Sequence, residues 1–146
     1  MDEGIIEGVV ITPLSIIETK GGDVFHALKS NDVGYVDFGE AYFSNIDKGI
    51  IKAWKRHHTM VLNIVVPIGS IKFVMYDDRD NSDTKGNFQT IVLSKLNYAR
   101  VTVPPMIWLG FQGGEDTNML LNIASIHHEP NEVDRLDIDM LKYDWK

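Results

Sequence analysis

Ile71-Lys72-Phe73-Val74-Met75-Tyr76-Asp77 is the stretch that decides the fold class. Ile71, Phe73 and Met75 alternate with Lys72, Val74 and Tyr76, the period of two that sends successive side chains to opposite faces of a strand and gives one face to a core. On both sides of it the apolar residues keep falling in short runs rich in Ile, Val, Phe and Tyr. These runs predict strands over residues 5–17, 24–28, 35–44, 49–57, 60–66, 71–77, 88–94, 100–103, 107–111 and 118–125. Between them lie Gly21-Gly22, Asn31-Asp32, Pro67-Ile68-Gly69, Asp80-Asn81-Ser82-Asp83 and Gly113-Gly114, residue types that accept positive φ or bond their own backbone in turns. No gap between neighbouring runs has room for a crossover helix, so the expectation is an all-β sandwich or barrel, with the jelly roll the leading candidate. The one helix predicted is short and acidic, over residues 132–141 after Pro130.

At 146 residues the chain makes one domain, which buries roughly 70% of its unfolded surface without help from disulfides or structural metals. Residues 133–146 read as a short acidic C-terminal extension of that domain. A formal charge of −7 argues against general attraction to nucleic acid or anionic lipid, so an anionic ligand needs a local cationic pocket. Zero cysteines exclude a disulfide scaffold, a thiol nucleophile and thiolate-held metals. The opening Met1-Asp2-Glu3-Gly4 is acidic where a secretory signal needs basic residues. No apolar run reaches the roughly 18 residues of a membrane span. A cytoplasmic protein with no membrane partner is the expectation.

The segment with the most chemistry is Ile51-Lys52-Ala53-Trp54-Lys55-Arg56-His57-His58. In a regular strand Lys55 and His57 share one face, while Lys52, Arg56 and His58 share the other. A lysine and a histidine aimed into a concave interior attract an anionic or carbonyl-bearing ligand, and burial there shifts their pKa values. The outer three read as a solvated face. His57-His58 and His127-His128 are adjacent pairs whose members point to opposite faces, so neither pair can chelate from a regular strand and no metal is expected. Asp77-Asp78-Arg79-Asp80 lacks the glutamate of a calcium loop and reads as a turn braced by Arg79. Gly110–Gly114 is followed by Glu115-Asp116, which would repel phosphate, and Trp54 and Trp108 read as core aromatics.

Four segments taken together resemble the dTDP-4-dehydrorhamnose 3,5-epimerase family. They are Phe38-Gly39-Glu40-Ala41-Tyr42-Phe43-Ser44, Gly49-Ile50-Ile51-Lys52-Ala53-Trp54-Lys55, residues 77–86 and Val103-Pro104-Pro105-Met106-Ile107-Trp108-Leu109-Gly110-Phe111. The resemblance runs from about residue 20 to residue 135 and rests on the order and spacing of these motifs. It implies a cupin-type jelly roll without a cofactor, usually a homodimer, that acts on a nucleotide-diphosphate-linked 4-keto sugar in surface-polysaccharide or deoxysugar synthesis. It puts Lys52 where the family has a phosphate-binding arginine and Lys55 where it has the histidine base. His57 stands for a glutamine, Leu109 for a histidine and Asn122 for the catalytic tyrosine. No aspartate partner for the base is expected. Lys55 is then the candidate base and His57 the group that polarises the enolate oxygen, with Lys52, Glu40, Tyr42 and Asn122 lining the substrate cup. The other reading is a non-catalytic module that binds a nucleotide sugar or a partner enzyme; a Lys55 buried beside His57 with a depressed pKa would favour the enzyme, and an exposed, ordinary one the module.

Overall fold

The computed structural model describes residues 4–146; residues 1–3, read above for targeting, lie outside it. Two five-stranded sheets make up the jelly roll, and every pairing between their strands is antiparallel. The first runs in the order β1 (Val10–Pro13), β9 (Ala99–Val103), β6 (Leu62–Ile68), β11 (Met119–Ala124), β4 (Glu40–Asn45). The second runs β12 (Val133–Arg135), β5 (Ile51–His57), β10 (Ile107–Gly113), β7 (Ser70–Asp77), β8 (Phe88–Ser94). A small ribbon pairs β2 (Ile16–Ile17) with β3 (Val24–Phe25). Among the described residues no helix is long and apolar enough to cross a membrane.

The stretch 71–77 forms its strand, and both of its faces are buried. Ile71, Phe73 and Met75 enter the core between the sheets with Ile64, Val101 and Leu120. Val74 and Tyr76 face outward into a second cluster, where Trp54, Phe88 and Trp108 pack under Leu136, Leu141, Tyr143 and Trp145. This outer cluster explains why an apolar Val74 stands on the face that alternation assigned away from the core. The turn after the strand is braced as the sequence implies: the buried Asp77 carboxylate meets Arg79 Nε at 2.9 Å and accepts the Ser82 and Thr84 hydroxyls. Burial alone would raise its pKa, but the guanidinium and hydroxyls outweigh that and hold it well below the usual carboxylate range.

Three expectations need correction. Residues 5–17 are not one strand: Gly8 turns the chain at φ 92°, Ile6 drops into the core, and only Val10–Pro13 and Ile16–Ile17 are extended and paired. The strand expected over residues 35–44 begins only at Glu40. The helix expected over residues 132–141 is replaced by two 3-10 turns, Pro130–Glu132 and Ile138–Met140, flanking β12. Pairing with β5 overrides local helical preference there, and Leu136 and Trp54 exchange both backbone hydrogen bonds, at 3.0 and 3.1 Å.

The irregularity in β5 positions the site. Leu109 and Phe111 of β10 are two apart and share a face, yet their partners on β5 are Lys55 and Lys52, which are three apart. The strand therefore holds one extra residue there, a β-bulge, and Lys52 returns to the same face as Lys55. The parity that grouped Lys52 with Arg56 and His58 is overturned by this insertion. Gly110 lies opposite the bulge, where a Cβ would sit 2.7 Å from that of Ala53 and 3.1 Å from the Trp145 ring. Trp54 is 1% exposed, stacks at 5.4 Å from Trp145 and donates its indole N–H to the Ile138 carbonyl at 3.2 Å. It anchors the bulge from outside. Trp54→Ala should cost about 3–5 kcal/mol, as large-to-small changes at buried aromatics do; urea unfolding that shows a loss below 1 kcal/mol would contradict that anchoring.

Candidate active site

A cleft of about 920 Å³ opens between the two sheets. One wall belongs to the second sheet: Lys52, Lys55 and His57 from β5, Leu109 and Phe111 from β10, and Arg135 from β12. The facing wall belongs to the first: Glu40, Tyr42 and Ser44 from β4, Leu62 and Ile64 from β6, and Leu120 and Asn122 from β11. The C-terminal segment closes one side with Leu136, Asp137 and Met140. All six residues expected in the cup, Lys52, Lys55, His57, Glu40, Tyr42 and Asn122, line this one cleft.

Register explains the cationic wall. Arg135 lies opposite Lys55, and Val133 opposite His57, so the inward positions of β12 extend those of β5. Asp134 pairs with Arg56 on the outward side, where it meets Arg56 at 2.7 Å and His58 at 2.9 Å. Arg56 also lies over the Trp108 ring at 4.5 Å. Arg56 and His58 thus belong to a structural network outside the cleft. Inside it, burial pulls the Lys55 pKa down, and the charges of Arg135 and Lys52 pull it further.

His57 has a partner that the sequence did not reveal. Its Nδ1 lies 2.6 Å from Glu132 Oε1, and the pair is largely buried. The second oxygen, Oε2, accepts the backbone N–H groups of Thr59 at 2.7 Å and Met60 at 2.9 Å. Burial raises the Glu132 pKa, but those amides and the imidazole outweigh it and bring it down to about 2. A carboxylate so held fixes the imidazole ring and leaves Nε2 for a ligand. The sequence reading expected no orienting carboxylate in the site; Glu132 supplies one, to His57 and not to Lys55. Glu132, Arg135 and Asp137 were missed because residues 132–141 read as a short acidic helix. The acidic run itself was visible; its pairing with β5 was not.

On the facing wall, Asn122 is 3% exposed and its Nδ2–H donates to Tyr42 Oη at 2.9 Å. The Asn122 Oδ1 is buried with no protein partner, an acceptor of the kind a ligand hydroxyl satisfies. Glu40 Oε1 accepts the His128 backbone N–H at 3.1 Å.

Compared with known proteins, the chain matches no family model. It is 34% identical to a dTDP sugar isomerase of Desulfovibrio desulfuricans, with a TM-score of 0.91 over 96% of this chain and 92% of that one. A dTDP-4-dehydrorhamnose 3,5-epimerase of Elizabethkingia anophelis, 18% identical, shares the fold at a TM-score of 0.85 over 99% of this chain and 84% of that one. The chain belongs to the dTDP-4-dehydrorhamnose 3,5-epimerase-like family. Curated relatives of this epimerase-like chain include the probable low-salt glycan biosynthesis epimerase Agl13 of Haloferax volcanii, 29% identical over 139 residues that cover 92% of this chain and 89% of that protein. Another is the spore coat polysaccharide biosynthesis protein SpsL of Bacillus subtilis, 23% identical over 146 residues and 97% of each chain.

The Glu132 contact has a consequence for stability. Its carboxyl is held at about 2 in the folded protein, below the ordinary glutamate value of about 4.3. Its contribution is therefore complete above the ordinary value and is lost as pH falls toward 2. Glu132→Gln should lower stability at pH 7 by about 3 kcal/mol and flatten the fall of stability between pH 4.5 and 2. Urea titrations across that range check this; an acid slope equal to that of the unchanged protein would contradict it.

Proposed function

We propose that the chain is a sugar epimerase or isomerase that moves a proton at a carbon beside the ketone of a nucleotide-diphosphate-linked 4-keto-6-deoxyhexose in surface glycan synthesis. The observation that carries this reading is the His57–Glu132 pair, set in the same wall as Lys52, Lys55 and Arg135. A site that only binds a nucleotide sugar needs the cations, but it has no need for a carboxylate that orients an imidazole. The names of the relatives, epimerases and isomerases of sugars and glycans, support the same class.

The residues divide the work by their chemistry. Lys52 and Arg135 suit the diphosphate, the arginine through a planar fork and the lysine as a point charge. His57 Nε2 takes the C–H proton, and Glu132 steadies the imidazolium that forms. The electron pair released from the C–H bond passes into an enolate. Lys55 opens onto the cleft, and its partial burial together with the charges of Arg135 and Lys52 makes its ammonium a readier donor to the enolate oxygen. The contact with Glu132 thus favours the reverse of the roles read from the sequence, with His57 as base and Lys55 as electrophile. The apolar patch of Met60, Leu62, Ile64 and Leu120 suits the methyl group of a 6-deoxy sugar.

Incubation with a dTDP-linked 4-keto-6-deoxyhexose in heavy water tests the reading. The unchanged protein should introduce deuterium at a carbon flanking the ketone, and His57→Asn should slow this by about 10²–10⁴-fold, the usual worth of a general base. Lys55→Gln should slow it as well. Incorporation that survives both substitutions would remove the assignment, and none from the unchanged protein with a panel of such sugars would leave a binding module.

A further inference from the structure

We propose that Asn122 selects the sugar, accepting at its Oδ1 a hydrogen bond from a ring hydroxyl of the hexose. This rests on the function proposed above and adds the substituent that the cleft reads. Along β11, Leu120, Asn122 and Ala124 share the inward face, and both of the outer two belong to the apolar core between the sheets. Asn122 pairs with Ile64 of β6 on one side and with Tyr42 of β4 on the other. An amide buried to 3% exposure in such a row gives the packing nothing that a leucine would not give. It also brings two polar groups that must each find a partner.

One of the two is satisfied within the protein. The Nδ2–H donates to Tyr42 Oη at 2.9 Å. The Oδ1 is buried and accepts a hydrogen bond from no group among the described residues. Asn122 lines the cleft, so the missing donor arrives with the ligand.

The chemistry of the ligand narrows that donor. The diphosphate, the ring oxygen and the ketone are acceptors, and none of them can serve a second acceptor. In a 4-keto-6-deoxyhexose the first carbon carries the nucleotide, the fourth is the ketone and the sixth is a methyl group. The hydroxyls of the second and third carbons are the donors that remain on the sugar. The nucleoside has donors of its own, but it lies elsewhere. Ile64 and Leu120, beside Asn122, belong to the apolar patch that suits the methyl group, which puts the hexose against the amide. A sugar without the matching hydroxyl leaves the acceptor unpaired in the complex too, and the site disfavours it for that reason.

The test compares a dTDP-linked 4-keto-6-deoxyhexose with its 2-deoxy and 3-deoxy analogues. It reads kcat/KM for deuterium uptake from heavy water at a carbon beside the ketone. The preference for the parent sugar is measured in the unchanged protein and in Asn122→Leu, a comparison that cancels differences in the sugars' own reactivity. For one of the two analogues the preference should be about 10–10²-fold greater in the unchanged protein, the worth of a buried acceptor left without its donor. Asn122→Asp keeps an oxygen in that place, while Tyr42 turns its hydroxyl to donate to the other oxygen, and this variant should keep the preference. A residue that only packs the sheet would lower all three rates together. Equal preferences in the unchanged protein and Asn122→Leu would mean that water serves the oxygen, and would overturn the proposal. Loss of the preference in Asn122→Asp would overturn it as well. Should Asn122→Leu fail to fold, equal rates for all three sugars in the unchanged protein would have the same force. Absence of uptake from the parent sugar would instead defeat the proposed function itself, and this assignment with it.

Discussion

Between Lys52 and Lys55 the strand β5 carries one residue more than β10 beside it, and the site is arranged around that insertion. A regular strand would send Lys52 out with Arg56 and His58, leaving a single lysine beside His57. The bulge brings both lysines inward and turns Trp54 out, where Phe88 and Trp145 enclose it. The outer aromatic cluster therefore has two effects. It buries apolar surface on the far face of the second sheet, and it holds the backbone in the register that fills the cleft with cations. Gly110 is the complementary requirement, because a side chain there would collide with Ala53 on the bulge.

The same segment of chain serves both faces. Residues 132–145 supply Leu136, Leu141, Tyr143 and Trp145 to the outer cluster and Glu132, Arg135 and Asp137 to the cleft or its edge. A chain of net charge −7 thus gathers three cations on one wall and sets a charged carboxylate behind the only histidine of β5 that faces inward. Electrostatic attraction of an anionic ligand is local here, and it competes with repulsion from the rest of the surface. That opposition favours a ligand that reaches into the cleft over one held at the rim.

Much of this was legible in the sequence, for identifiable reasons. Residues 71–77 and 88–94 are compact apolar runs bounded by turn residues, so those strands emerge at nearly their true limits. That Lys55 and His57 share a face followed from parity; that this face lines the cleft is seen only in the structure. Lys52 did not, because an inserted residue reverses parity and leaves no mark in composition. Glu132 was hidden for a different reason. An acidic stretch after a proline satisfies the rules for a helix start, and only the unpaired edge of β5, more than seventy residues away in sequence, makes it a strand. Tyr42 could be placed on the cup, but its bond to Asn122 depends on the pairing of β4 with β11 across a similar separation.

A crystal structure of the protein with dTDP bound tests the central claim, that the bulge gathers the cations of the second sheet into one ligand-binding wall. The account predicts phosphate oxygens within about 2.7–3.2 Å of Lys52 Nζ and the Arg135 guanidinium, with the open end of the diphosphate directed toward His57 and Tyr42. Lys52 pointing to solvent beside Arg56 and His58, or a nucleotide bound outside the cleft, would contradict it.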